Sequence, residues 1–287
     1  MRPIDRKLGR SVFADWLETV AISNLGKPVA RHMARDLGAA HFGLSDELVL
    51  DAFSEAASRA NTIPGYPFDC GNDFIVSLPE SLSSTYVACL LLSPNNSVRE
   101  IDEWHLNSAA SVFESIAEFA LGGFFGDTTE VVNFGYPSSQ GRPEFFDDAV
   151  KWLASKSGLR IGNSYRPPRK KDGGVDLFVW KKFNDNRRGI PVLMVQCTIG
   201  SEYLLKVGDI DVALWSSWLS TDLNPLVGLA FPGMIDSSGE LEEITSRALC
   251  LDRPRIVELA HGRDLELPQS QSRFIANLAK GFAEAIN

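Results

Sequence analysis

Two apolar runs joined by a polar turn place the strongest constraint on how this chain can fold. Residues 175–180 and 191–198 are rich in Val, Leu and other apolar residues, and residues 184–189 contain the Asn, Asp and Gly of a connecting turn. The pattern predicts two paired strands. The elements predicted around them are a helix at 144–157, a helical period at 201–219 interrupted at Gly208, a strand at 226–231 and a helix at 272–286. This succession predicts an α/β fold in which helices flank a mixed central sheet.

The first 133 residues form a separate predicted region that is mainly helical, with an α+β character. Helical spacing dominates the first 60 residues, strands are predicted at 73–78 and 85–92, and a long amphipathic helix at 105–125. Gly and Pro cluster between residues 126 and 143, so the sequence predicts one region at 1–133 and a domain at 134–287. Because the helix at 105–125 is apolar on more than one face, it must be buried against the domain at 134–287 or against another chain, and a homo-oligomer or a partner subunit is the expectation.

Composition excludes several classes of protein. The 287 residues are 44% hydrophobic and 23% charged with a formal net charge of −9, which argues against disorder and against a histone-like basic coat. The cysteines at 70, 89, 197 and 250 form no CxxC pair, so a disulfide framework and a zinc ribbon are not expected. No signal peptide is predicted, and the longest apolar runs fall far short of the ~20 residues of a membrane span. A cytoplasmic protein without membrane contact is therefore expected.

Polar residues at the ends of the two predicted strands are the first candidates for chemistry. Asp176 lies on the first strand and Gln196 near the end of the second, so a hairpin would bring them within about 8 Å of each other. Such an oxygen pair can hold Mg²⁺, and the ammonium group of Lys206 can then act on a phosphodiester. Alternating strands also carry polar residues without any function, so the spacing alone leaves a purely structural role open.

The segment from residue 173 to residue 206 resembles the PD-(D/E)xK, or restriction-endonuclease-like, nuclease superfamily. It is most similar to a bacterial group in which a strand carries an Asp and ends in Trp, a turn carries an acid and a basic residue, and the next strand ends in Gln-Cys. A Gly, an aromatic residue and a Lys follow. The matching residues here are Asp176, Trp180, Asp185, Arg187, Gln196, Cys197, Gly200, Tyr203 and Lys206.

The resemblance implies a role for each matching site residue. Asp176 would bind the metal, and Gln196 stands where the superfamily usually has Glu. Thr198 occupies the position of the usual Lys, so Lys206 would supply the ammonium group from the following helix. A second metal-binding carboxylate is expected from the preceding helix, where Asp148, Asp147 and Glu144 are the candidates.

The resemblance also implies a reaction and a setting. It points to an endonuclease that uses Mg²⁺ or Mn²⁺ to hydrolyse phosphodiester bonds of nucleic acid, with DNA as the first expectation, in bacterial anti-phage or genome defence. An ATPase or helicase, or another defence subunit, is the expected partner. The alternative is a catalytically inactive subunit of the same fold that binds nucleic acid or a partner protein.

A basic strip lies close to Asp176 in the sequence. Residues 166–188 contain eight Lys and Arg against three Asp, a local charge of +5. Lys and Arg bind phosphate backbones by displacing condensed counterions, although a solvated basic loop gives the same pattern. The residues predicted to contact nucleic acid are Arg169, Lys170, Lys171, Lys181, Lys182 and Arg187.

Overall fold

The computed structural model of the chain describes residues 10–24, 26–136, 141–163, 168, 172–185 and 187–286. Its α-helices are α1 (Arg10–Ser23), α2 (Arg31–Leu37), α3 (Asp46–Thr62), α4 (Thr85–Leu92), α5 (Leu106–Leu121), α6 (Phe146–Ser157), α7 (Val212–Trp218), α8 (Ser238–Thr245), α9 (Arg253–Ala260) and α10 (Gln269–Ile286). Its strands are β1 (Val29–Ala30), β2 (Phe68–Cys70), β3 (Phe74–Ser77), β4 (Thr129–Asn133), β5 (Arg160–Ile161), β6 (Leu177–Lys181), β7 (Val192–Cys197), β8 (Leu219–Ser220), β9 (Leu226–Ala230) and β10 (Leu249–Leu251). Within these residues no helix is both long and apolar enough to cross a membrane.

The predicted hairpin is the centre of a five-stranded mixed sheet in the order β10-β9-β7-β6-β4. β6 pairs antiparallel with both β4 and β7, and Leu177 lies opposite Val195. β7, β9 and β10 run parallel to one another. The predicted hairpin and the predicted strand at 226–231 are therefore confirmed.

Helices cover both faces of this sheet, as the sequence predicts. Leu177, Val179 and the β7 residues beside them point into a large apolar core with α5, and α5 contacts β4, β6 and β7. The alternate residues, among them Phe178 and Met194, pack against α6 and α7. Successive side chains of a strand point to opposite faces of the sheet. Because helices cover both faces, both strands are apolar throughout.

The predicted strand at 85–92 is wrong, because these residues form helix α4. Ser84 caps the helix by accepting a hydrogen bond from the N–H of Val87 at 3.1 Å. Every residue of α4 is buried, and the helix contacts α5, α9 and α10. A short helix surrounded by apolar neighbours has no polar face, so its sequence cannot be distinguished from that of a central strand.

The helix predicted at 201–219 is confirmed only in part. A 3₁₀ turn at Tyr203–Lys206 and the separate helix α7 replace it. The helices predicted at 105–125, 144–157 and 272–286 correspond to α5, α6 and α10.

The sheet begins on the N-terminal side of the predicted boundary. β4 pairs with β6 over five residue pairs, and a single apolar core contains residues of α1, α4, α5, β6, β7 and α10. The boundary between two regions at 133/134 stays a prediction. β4 and α5 precede this boundary but pack as parts of the sheet layer.

The apolar surface of α5 is covered by its own chain. Val112, Phe113 and Ile116 are buried, and Phe119 lies under the guanidinium group of Arg263 at 4.6 Å from its ring centre. The surface from which a second subunit was inferred is thus occupied within the chain, and a homo-oligomer stays a prediction without this support.

A buried cluster of charges links the first helix to the C-terminal part of the chain. Arg59 on α3 donates hydrogen bonds to Asp15 at 2.8 Å and to Glu18 at 2.9 Å, both on α1. Arg253 on α9 donates to both carboxylate oxygens of Asp15, at 2.8 and 2.6 Å. Tyr86 on α4 donates to Glu18. Burial alone would raise the pKa of Asp15, but the two guanidinium groups outweigh burial and hold it below its ordinary value.

Replacement of Arg253 by Met is expected to destabilise the protein by about 3–5 kcal/mol, because it leaves Asp15 buried with half of its partners. Urea denaturation measures the loss. Arg273→Met, at an exposed position of α10, is the matched control and should change stability by less than about 0.5 kcal/mol. Equal denaturation midpoints for the two variants would contradict a structural role for the cluster.

Candidate functional site

Asp176 is fixed in place by both its backbone and its side chain. Its N–H donates to the carbonyl of Val195 at 2.9 Å, and its own carbonyl accepts from the N–H groups of Phe134 at 2.7 Å and Gly135 at 3.0 Å. Its Oδ2 accepts hydrogen bonds from the N–H of Cys197 at 2.6 Å and from the side-chain amide of Gln196. The predicted meeting of Asp176 and Gln196 at adjacent strand ends is confirmed.

The second carboxylate oxygen of Asp176 has a different environment. Oδ1 accepts no hydrogen bond from the described residues, although Asp176 is only 9% exposed. A side-chain carbon at Gly135 would lie 3.4 Å from this oxygen, so the glycine keeps the space beside it open. Asp176 therefore presents one anchored oxygen and one oxygen available to a ligand.

This carboxylate lies in a groove between the end of the sheet and α5. The groove has a volume of about 860 Å³, and its lining includes Ser111, Glu114, Glu118, Asn133, Asp176 and Glu266. Among its described residues it contains four carboxylates and no Lys or Arg. We call it the acidic groove.

Electrostatic repulsion and burial act together in the acidic groove. Burial is the main cause that raises the pKa of Asp176 to about 8. The charges of Glu114 and Asp172 add to the rise, and the N–H of Cys197 and the charge of Lys206 oppose it. Burial also raises the pKa of Glu114, whose Oε2 accepts from the amide of Asn133 at 3.1 Å. Two carboxylates that line one groove repel each other as anions, and a bound cation would reduce this unfavourable electrostatic energy.

Glu114 is the carboxylate that sequence reasoning missed. It shares one side of α5 with Glu118 at a spacing of four residues, which is a detectable pattern of polar residues on an amphipathic helix. The sequence does not show that this side faces Asp176, because the packing of α5 on the sheet is a tertiary contact.

The structure does not bring Asp148 to Asp176. Asp148 is exposed in the first turn of α6, forms an ion pair with Lys151 at 3.0 Å, and does not line the acidic groove. α6 packs on the face of the sheet opposite α5. The prediction that Asp148 binds the same metal as Asp176 thus has no geometric support, whereas Glu114 lines the same groove as Asp176.

Lys206 is near enough to Asp176 for its charge to affect the pKa of that residue, but its ammonium group forms an ion pair with another acid. Its Nζ is 3.5 Å from Asp209, and its positive charge lowers the pKa of Asp176 slightly. The segment after Lys206 approaches Asp176 closely because of Gly174, which has φ +84° and where a Cβ would lie 2.5 Å from the carbonyl of Asp209.

The three predicted basic contacts that the structure describes do not line the acidic groove. Asp176 precedes β6 and Lys181 ends it, so the two are separated by about 17 Å of extended strand. Lys181 donates to the carbonyl of Phe125 at 2.6 Å, Lys182 lies 3.8 Å from Glu130, and Arg187 lies 3.5 Å from Asp185. Arg169, Lys170 and Lys171 lie outside the described residues.

The donor atoms of the acidic groove suit a hard cation. They are the carboxylate oxygens of Asp176 and Glu114, ligands that Mg²⁺ and Mn²⁺ prefer. In the described part of the chain no group of three or more His, Cys, Asp or Glu residues is arranged to hold a metal ion. Since Mg²⁺ commonly binds through one or two carboxylates and completes its shell with water and phosphate, the two carboxylates fit this ion.

Comparison with protein-family models, with curated proteins and with solved structures finds no match to this chain.

Replacement of Asp176 by Asn is expected to remove a pH dependence of stability. Because the folded-state pKa of Asp176 is about 8 instead of 3.8, the folded protein holds a proton that the unfolded chain releases. Stability therefore falls as the pH rises through this window, by at most about 1.4 kcal/mol per pH unit.

Urea denaturation in EDTA between about pH 5 and about pH 8 measures this dependence. The wild type should lose stability relative to Asp176→Asn as the pH rises, and the exposed control Asp148→Asn should follow the wild type. Parallel profiles for the wild type and Asp176→Asn would show that Asp176 has an ordinary pKa.

Proposed function

We propose that this chain is a metal-dependent endonuclease of the PD-(D/E)xK type that hydrolyses phosphodiester bonds in nucleic acid, with DNA as the first substrate to test. The observation that carries the proposal is the state of Asp176: buried, anchored through Oδ2 by Gln196 and Cys197, and open through Oδ1 to a groove that contains Glu114. The mixed sheet with helices on both faces supports the resemblance at the level of architecture.

The metal would be held by Oδ1 of Asp176 and by Glu114, both of which line the acidic groove. When bound, Mg²⁺ or Mn²⁺ supplies stabilisation of the charge that develops on a phosphodiester during hydrolysis. The N–H of Cys197 and the amide of Gln196 orient the carboxylate of Asp176 by holding its other oxygen.

Lys206 would neutralise charge on the substrate phosphate. Its side chain is 42% exposed, and its pairing with Asp209 at 3.5 Å is an ion pair of small free energy. A phosphate near Asp176 can therefore compete with Asp209 for Lys206.

The resemblance to the nuclease superfamily also suggests a role in anti-phage or genome defence and an ATPase or helicase as partner.

Purified protein with Mg²⁺ or Mn²⁺ is expected to nick or cut plasmid DNA. Asp176→Asn and Glu114→Gln should each reduce the rate by on the order of 10²-fold or more, because each removes charge from the ion site. Asp148→Asn, a matched loss of one carboxylate outside the groove, should keep the wild-type rate. Cleavage that survives both Asp176→Ala and Lys206→Ala would show that other residues perform the reaction.

The second candidate function is a non-catalytic subunit that binds nucleic acid or a partner protein. It is favoured by the direct hydrogen bond from Gln196 to Asp176 and by the pairing of Lys206 with Asp209, since both site groups already have protein partners.

Calorimetric titration with Mn²⁺ distinguishes the two functions. Binding to the wild type that is lost in Asp176→Asn is the result expected for the nuclease, because Asp176 supplies the open oxygen. The Asp148→Asn variant should bind as the wild type does. An absence of binding at millimolar Mn²⁺ would instead favour the non-catalytic subunit.

A further inference from the structure

A second groove lies at the opposite end of β6 from Asp176. It is formed by the C-terminal end of α6, by β5 and by the turn between β6 and β7, and it has a volume of about 210 Å³. We call it the basic groove. Its charged lining residues, among those described, are the cations Lys156, Arg160, Lys181, Lys182, Arg187 and Arg188 and the single acid Asp222.

Asp222 holds two of these cations side by side. Its carboxylate accepts hydrogen bonds from Arg188, from the N–H of Gly189 at 3.2 Å and from Arg160 at 3.4 Å. The short β5–β8 pair, in which Arg160 lies opposite Ser220, brings the two chain segments together. One carboxylate thereby orders two guanidinium groups that would otherwise repel each other, and a net positive charge is left in the groove.

Three of the remaining cations, Lys156, Lys182 and Arg187, are available to a ligand, whereas Lys181 donates to the carbonyl of Phe125. The side chains of Lys182 and Arg187 are 63% and 84% exposed, and their acidic neighbours lie 3.8 and 3.5 Å away. Exposed ion pairs of this kind contribute little free energy, so a phosphate can replace them. Lys156 is also exposed, in the last turn of α6.

An exposed aromatic ring accompanies these charges. Phe183 lines the basic groove and is 46% exposed, so its ring is accessible from the groove. A ring beside a row of cations is the arrangement by which proteins stack an unpaired base while they hold its phosphates.

The two grooves have complementary electrostatic properties. The acidic groove repels phosphate and cannot by itself supply affinity for a polyanion. The basic groove lies at the other end of β6, about 17 Å of extended strand from Asp176, and on the α6 side of the sheet. The basic groove would then supply affinity for nucleic acid at one end of the β6–β7 hairpin, and bond cleavage would take place in the acidic groove at the other end.

We propose that the basic groove binds the phosphate backbone of single-stranded nucleic acid, with Phe183 stacked on a base. A narrow groove with an exposed ring favours an unpaired strand, since the bases of a duplex are already stacked. The inference rests on the proposed function in taking nucleic acid as the ligand, but the binding itself requires neither metal nor cleavage.

Fluorescence anisotropy with a labelled oligothymidine in EDTA and low salt tests the proposal. The double variant Lys182→Gln/Arg187→Gln should bind at least about 10-fold more weakly than the wild type, with a salt slope smaller by about 0.7 per lost contact. The matched control is Arg31→Gln/Arg35→Gln, which removes the same charge from the exposed surface of α2 and should bind as the wild type does.

Phe183→Leu keeps an apolar side chain but removes the ring, and it should weaken binding by about 5-fold or more.

Equal affinities for the two double variants, or tighter binding of a duplex of the same length, would overturn the proposal. Binding retained without cleavage in Mg²⁺ would end the nuclease proposal and leave the basic groove standing. Cleavage unaffected by the groove variants, with no measurable binding in EDTA, would end the groove proposal alone.

Discussion

The buried cluster of Asp15, Glu18, Arg59 and Arg253 is the interaction on which the arrangement of this chain depends. Removing these charges from water is unfavourable in free energy. Ion pairs and hydrogen bonds offset this only when α1, α3, α4 and α9 are all in place to supply the partners. The cluster joins residues more than 200 positions apart in the sequence. It therefore fixes how the N-terminal helices pack on the layer that contains the sheet.

That packing determines the candidate site. α5 follows the N-terminal helices and lies across β4, β6 and β7, so Glu114 faces the same groove as Asp176. Asp176 is held by the strands, whereas Glu114 is held by a helix from the other predicted region of the chain. A site assembled in this way has one half set by strand pairing and the other half set by the position of α5.

Charge is distributed unequally along the β6–β7 hairpin. Carboxylates surround the end that bears Asp176, while Lys and Arg surround the end that bears Lys181. An acidic end suits a cation and a basic end suits phosphate, so the hairpin places two kinds of binding chemistry at a fixed distance. The acidic net charge of the whole chain conceals this separation.

The sequence by itself determined the hairpin, the strand at 226–230, the C-terminal helix and the meeting of Asp176 with Gln196, because strand period and turn composition are local properties. Tertiary structure alone decided that residues 85–92 form a helix, since complete burial removes the polar face that would reveal one. It also decided that Glu114 and not Asp148 lines the same groove as Asp176, and that Lys181, Lys182 and Arg187 line the groove at the far end of β6. The physical reason is that a polar side chain's partner is set by which elements pack together, and spacing along the chain does not record this.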